Sequence, residues 1–211
     1  MLAYHNDPEV KAKYVGRLQA HRKAENLIQG QGWDSGKGCA VGCTLEQYDH
    51  SRYPIELGLP EWLARLEDRI FEGLPKVKAE QFAEDFLAAI PVGADVSKVR
   101  GLLAIMRHTR DLDRLAGNTE PYVAEVRNAI QMVIDWIKDG EKDESAAWSA
   151  ESAARSAESA AWSAASAESA AWSAAWSARS AAWSARQSHF EWEAANLLEL
   201  LKAAPVGNAT R

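Results

Sequence analysis

Both cysteines of the chain fall in one stretch, GQGWDSGKGCAVGC, which runs from Gly30 to Cys43 and holds five glycines. Three kinds of chemistry fit those residue types. The first is anion binding. Lys37 and the backbone amides of Gly36, Gly38 and Cys39 can cradle a phosphate where a helix begins, because glycines let backbone approach a ligand and a helix N-terminus presents unpaired N–H groups. Trp33 offers a flat face for stacking on a base, and Arg22, His50 and Arg52 add groups that recognise phosphates and bases. The stretch is not a Walker A loop, since Gly38 stands where Ser or Thr must follow the lysine.

The second chemistry is metal ligation. Cys39 and Cys43 are four residues apart and share a face if helical, and Asp49 and His50 follow closely. That spacing lacks the specificity of structural zinc motifs, and buried cysteines commonly serve as small apolar residues, so neither a metal nor any other cofactor is expected. The third is thiol catalysis, with Cys39 activated at a helix N-terminus and His5, His21, His50 or His108 as base. No spacing selects one of these histidines. The expectation is binding without catalysis, with Trp33, Gly36, Lys37, Gly38, Cys39, Arg22, His50 and Arg52 around the ligand and no catalytic residue.

The elements that must position these groups read as helices. Asn6 or Asp7 can cap a helix from Pro8 to Gln29, with Gly30 at its end and Val10, Tyr14, Leu18, Leu27 and Ile28 as its apolar stripe. A short helix begins near Cys39. The segment YPIELGLP reads as a turn-rich connector, and EWLARLEDRIFEG as a helix from Glu61 closed by Gly73 and Pro75. Further helices are expected from Lys78 to Ile90, from Asp95 or Ser97 to about Leu115, and from Asn118 or Thr119 to Gly140. No segment shows a convincing two-residue alternation, so the fold class is all-α.

From Ser145 onward the composition changes. Serines recur at intervals of three and four residues up to Ser188, which places them on one stripe of a helix beside a second stripe of alanines. The residue before each serine varies, as Trp148, Glu151, Arg155 and Trp162 show. Alanine is the best helix former and regular tryptophan is foreign to disordered segments, so this reads as helix. No glycine or proline interrupts 141–204, and a straight helix of about 60 residues is roughly 90 Å long. A compact globule of this chain length is only about 45 Å across. The helix is therefore expected to project and to bring its small-residue face to another copy, giving a homo-oligomer. The resulting division is a helical domain over 1–140 with the glycine-rich loop at 30–43, a long Ala/Ser/Trp helix over 141–204, and a flexible tail over 205–211.

Composition bounds the partners. The 211 residues carry a net charge of -6, with basic and acidic groups mixed, which argues against a nucleic-acid partner. Mean hydropathy is -0.34 and no apolar run of eighteen residues occurs, so no membrane partner is expected. MLAYHNDPEV has neither a basic start nor an apolar core, which reads as a cytoplasmic protein without a secretory signal.

The combination of YHNDP, WDSGKGCAVGCT, ELGLPEWLARLEDRIFEGLP, FLAAIPVGAD and the Ser-Ala-Ala-Trp tail resembles a family of uncharacterised proteins associated with bacteriophages, prophages and their hosts. The resemblance runs over nearly the whole chain, and GKGCAVGCT is its most specific part. It implies a small accessory protein of a phage, located in the host cytoplasm, and carries no activity or catalytic residue. The alanine-rich tail also resembles helical immunity-type domains. The leading expectation is sequestration of a small phosphate-bearing ligand, such as a nucleotide immune signal. An inhibitor or immunity-type module using the long helix is the alternative, and a thiol or metal enzyme the third.

Overall fold

A computed structural model describes residues 1–118, 121–139 and 172–207, with eight α-helices and a two-stranded hairpin among them. Helix α1, Pro8–Lys23, starts where the Asp7 side chain accepts from Glu9 N and Pro8 occupies the first turn, where no amide is needed. It stops at Lys23, six residues short of the expected Gln29. Glu25 takes a left-handed φ of 57°, and the chain turns into an extended run in which Leu27 bridges Gly38. Strand pairing thus claims the backbone that the apolar stripe had suggested for helix.

The glycine-rich stretch is a hairpin. Strands β1, Trp33–Asp34, and β2, Lys37–Gly38, pair antiparallel across Ser35 and Gly36, whose φ values of 51° and 82° are those of a type I′ turn. This corrects the expectation of a chain without strands, which were too short for an alternating pattern to register. Helix α2, Ala40–Leu45, follows with Cys39 as its N-cap, and all six of its residues are buried. Gly38 and Gly42 explain much of the glycine content. A Cβ on either would lie within about 2.2 Å of the Gly32 carbonyl oxygen, at 2.2 Å and 1.9 Å, so bare backbone lets the hairpin seat on α2.

YPIELGLP is not a plain connector. Tyr53–Leu57 forms α3, with Pro54 in its first turn and Gly58 closing it at φ 62°. Helix α4, Glu61–Gly73, has the expected bounds and buries Leu63, Ala64, Glu67, Ile70 and Phe71, the spacing of one helical stripe. Helix α5, Lys76–Ala89, buries Ala79, Phe82, Ala83, Phe86 and Leu87 and packs on α1 and α4, while α2 packs on α1 and α4. Helices α6, Val99–Arg114, and α7, Pro121–Lys138, lie close to the expected bounds.

The last helix, α8, covers Trp172–Lys202. The remainder of the repeat, 141–171, lies outside the described residues. Over its C-terminal part α8 does not project. Phe190, Ala194, Leu197 and Leu201 are buried at helical spacing, the Phe190 ring covers Gly73, Arg69 pairs with Glu193, and Lys78 Nζ meets Glu191 Oε2 at 2.8 Å. Residues 1–100 with 180–211 form one compact unit and 101–179 another. The sequence division at 140 misses this because the segment completing the first unit is far away in the chain. The tail expected over 205–211 is also held in part: Asp95 N donates to Pro205 O at 2.8 Å and Gly207 N to Gly93 O at 3.0 Å. In the second unit, Leu103 of α6 and Val123, Ala129 and Ile134 of α7 are buried. Among the described residues no helix is long and apolar enough to cross a membrane.

Candidate functional site

The groups expected around a phosphate are placed apart. The hairpin register sets Trp33 opposite Gly38 and Asp34 opposite Lys37, so Trp33 and Lys37 stand on opposite faces of the ribbon. Trp33 meets His21 edge to face at 5.4 Å, and Lys37 is exposed. Gly36 is the second turn residue. Two of the three expected amides are engaged within the fold: Gly38 N donates to Asn26 O at 3.0 Å, and Cys39 N to Gln31 O at 2.6 Å and Gly32 O at 3.1 Å. Arg22 donates to Glu84 and Gln81 and ties α1 to α5, while Arg52 pairs with Glu56.

Two of the expected residues do converge, and they converge on a carboxylate. His50 Nε2 lies 3.2 Å from Asp68 Oδ2, and the Tyr48 hydroxyl donates to the same oxygen at 2.8 Å. Cys39 Sγ, an Asp68 oxygen and a Glu72 oxygen lie within 4.8 Å of one another. Three segments build the cluster. The N-cap of α2 supplies the thiol, the loop before α3 supplies Tyr48 and His50, and successive turns of α4 supply Asp68 and Glu72. The thiol is buried, Asp68 is partly covered and Glu72 is exposed, so the cluster grades from core to surface.

Each of the three groups is held by a donor. Gly42 N donates to Cys39 Sγ at 3.4 Å, Tyr48 to Asp68, and Gly30 N to Glu72 Oε2 at 2.7 Å. The Tyr48 ring lies against Gly32, where a Cβ would come within 2.6 Å of it, and packs edge to face with His50 at 4.9 Å. The other oxygen of Asp68, Oδ1, is buried with no hydrogen-bond partner. Among the described residues no lysine or arginine pairs with Asp68 or Glu72; His50 is the one basic side chain against them.

The electrostatics follow. Burial pushes the Cys39 thiol well above the ordinary cysteine range, and Asp68 and Glu67 raise it further against the Gly42 amide. Burial, with Asp68 adding to it, also raises the Glu72 carboxyl, and burial together with Asp68 pushes Tyr48 up to about 12. Such a thiol is the reverse of an activated nucleophile, which needs positive surroundings.

The other candidate ligands take structural places. Cys43 Sγ points to Gly38 O at 3.4 Å and Asn26 O at 3.5 Å, and burial pushes its thiol up to about 11. Asp49 accepts from Ser51 N at 3.0 Å and Ser51 Oγ at 2.7 Å, capping a short turn. Sequence reasoning missed Asp68 and Glu72. The available signal was two acids four apart on one helix face, a like-charge spacing that by itself disfavours helix. The chain matches no protein-family model, no curated protein and no solved structure.

Proposed function

We propose that the protein acts by binding a cation at the Cys39, Asp68 and Glu72 cluster, with His50 and Tyr48 at its edge, and not by transforming a substrate. The observation that carries this is the pair of carboxylates beside a buried thiol with no lysine or arginine paired to them among the described residues. Neighbouring carboxylates repel each other, and taking charge out of water is costly unless an opposite charge offsets it. A bound cation supplies that charge. The ligand expected from the sequence, a nucleotide, would meet the opposite situation, because Arg22 and Arg52 already pair with Glu84 and Glu56.

Calorimetry tests the two against each other. Zinc, calcium, magnesium and guanidinium, each titrated into the purified chain, should include a binder whose affinity falls tenfold or more in Glu72→Gln, an exposed position where the glutamine oxygen can still accept from Gly30 N. A panel of cyclic and linear nucleotides should give no heat. Nucleotide binding that is lost in Lys37→Ala and Trp33→Ala, with no cation bound, would restore the sequestration reading.

A further inference from the structure

We infer that the cation is a thiophilic divalent transition metal of the zinc class, ligated by Cys39 Sγ, Asp68 and Glu72, with His50 at the edge of the site. The inference rests on the cation-binding reading above and names its ligand. Calcium and magnesium take oxygen ligands, usually six or more, and a buried sulfur in the middle of the set is the wrong donor for them. One thiol and two carboxylates, with water in the fourth position, suit a tetrahedral zinc-type ion.

The geometry is near what such an ion needs. With metal–ligand bonds of about 2.0–2.3 Å, the edges of the tetrahedron are roughly 3.3–3.7 Å. The thiol and the two carboxylate oxygens lie within 4.8 Å of one another and need to close in by about 1 Å. Glu72 is the exposed member of the set.

Two further observations point the same way. Asp68 Oδ1 is buried with no hydrogen-bond partner, a state it shares with Glu67 Oε1, and a metal bond would satisfy it. The cluster also has the supporting shell that metal sites use to orient their ligands. Gly42 N holds the sulfur, Tyr48 holds Asp68 through Oδ2, and Gly30 N holds Glu72 through Oε2. A metal there would pin the hairpin and the start of α2 to α4 and to the loop that carries His50.

The test is cobalt(II) titration of the metal-free full-length protein, followed by optical absorption. One equivalent should produce a thiolate-to-cobalt charge-transfer band with tetrahedral d–d absorption. Zinc should erase both, and a thousandfold excess of calcium or magnesium should not. The band should vanish in Cys39→Ser and persist in Cys43→Ala. Serine is a favoured N-cap, so the first variant keeps the start of α2, and an unchanged circular dichroism spectrum verifies it. Glu72→Gln should weaken cobalt at least tenfold. Cation binding without a thiolate band, or binding of calcium or magnesium as tight as that of zinc, would overturn the inference and leave the cation reading standing. Absence of any cation binding would overturn both.

Discussion

Glu67 has no exposed surface, and its neighbours decide its protonation. The Tyr53 hydroxyl donates to Oε2 at 2.5 Å, while Oε1 has no partner. Burial pushes the carboxyl from 4.5 up to about 8, with Tyr53 opposing the shift and Asp68 adding to it. Between those two values the folded chain holds a proton that the unfolded chain releases. Stability then falls as pH rises, by at most roughly 1.4 kcal/mol per pH unit, and the loss is complete above about pH 8. Glu56 and Glu84 have the opposite sign. Their hydrogen bonds, with Tyr14 first for Glu56 and Gln19 first for Glu84, hold them below the usual range, so their contribution is lost only under acid conditions. Urea unfolding between pH 5 and 8 should show midpoints that decline with pH in the wild type and stay level in Glu67→Gln, assayed in metal-free buffer. Parallel slopes in the two proteins would show that another group sets the dependence.

At the scale of elements, the hairpin is where local chemistry is least complete. A type I′ turn needs positive φ at both central residues, and Asn-Gly is its preferred pair. The chain has Ser35-Gly36, with Ser35 at φ 51°, a conformation that asparagine tolerates better than serine. Ser35→Asn should therefore stabilise the protein by about 0.5 kcal/mol, read as a small rise in thermal midpoint. A fall would mean that the Ser35 hydroxyl, which bonds Asp34 Oδ1 at 3.1 Å, matters more than the backbone preference. Helix α2 shows a comparable dependence on its surroundings. Arg17 Nη1 donates to Thr44 O at 3.0 Å and its other nitrogen meets Glu46 at 3.5 Å, so α1 caps the C-terminal end of a helix only six residues long.

For the whole molecule, the first unit is assembled from two distant pieces of chain. Phe190, Ala194, Leu197 and Leu201 of α8 complete the core laid down by the first hundred residues. Deleting them is more severe than one Phe→Ala truncation, which alone costs about 3–5 kcal/mol. A fragment of residues 1–140 should thus be unfolded or molten, with weak near-ultraviolet circular dichroism, although the sequence pattern marks it as a domain. A cooperative, fully structured 1–140 fragment would show that α8 is an accessory. The Ser and Ala stripes of the repeat also predict self-association of the full chain. Light scattering at micromolar concentration should then report a mass above the monomer value of 23.2 kDa.

The sequence by itself determined the helical class and most of the helix bounds, because those depend on neighbours within a turn or two. Pro8 behind Asp7, the apolar stripe of EWLARLEDRIFEG and the stop at Gly73 act locally, and α4 follows them residue for residue. It also marked Cys39 as a helix start. Only the tertiary structure decided where the expected α1 would stop, since the pairing of Leu27 with Gly38 is set by a hairpin eleven residues away. Only it returned α8 to the N-terminal core. Above all, it set two carboxylates, with no lysine or arginine paired to them among the described residues, beside the Cys39 thiol. The charge of a site is a sum over everything that packs there, and Asp68 and Glu72 reach Cys39 through the crossing of α2 and α4, which no spacing along the chain encodes.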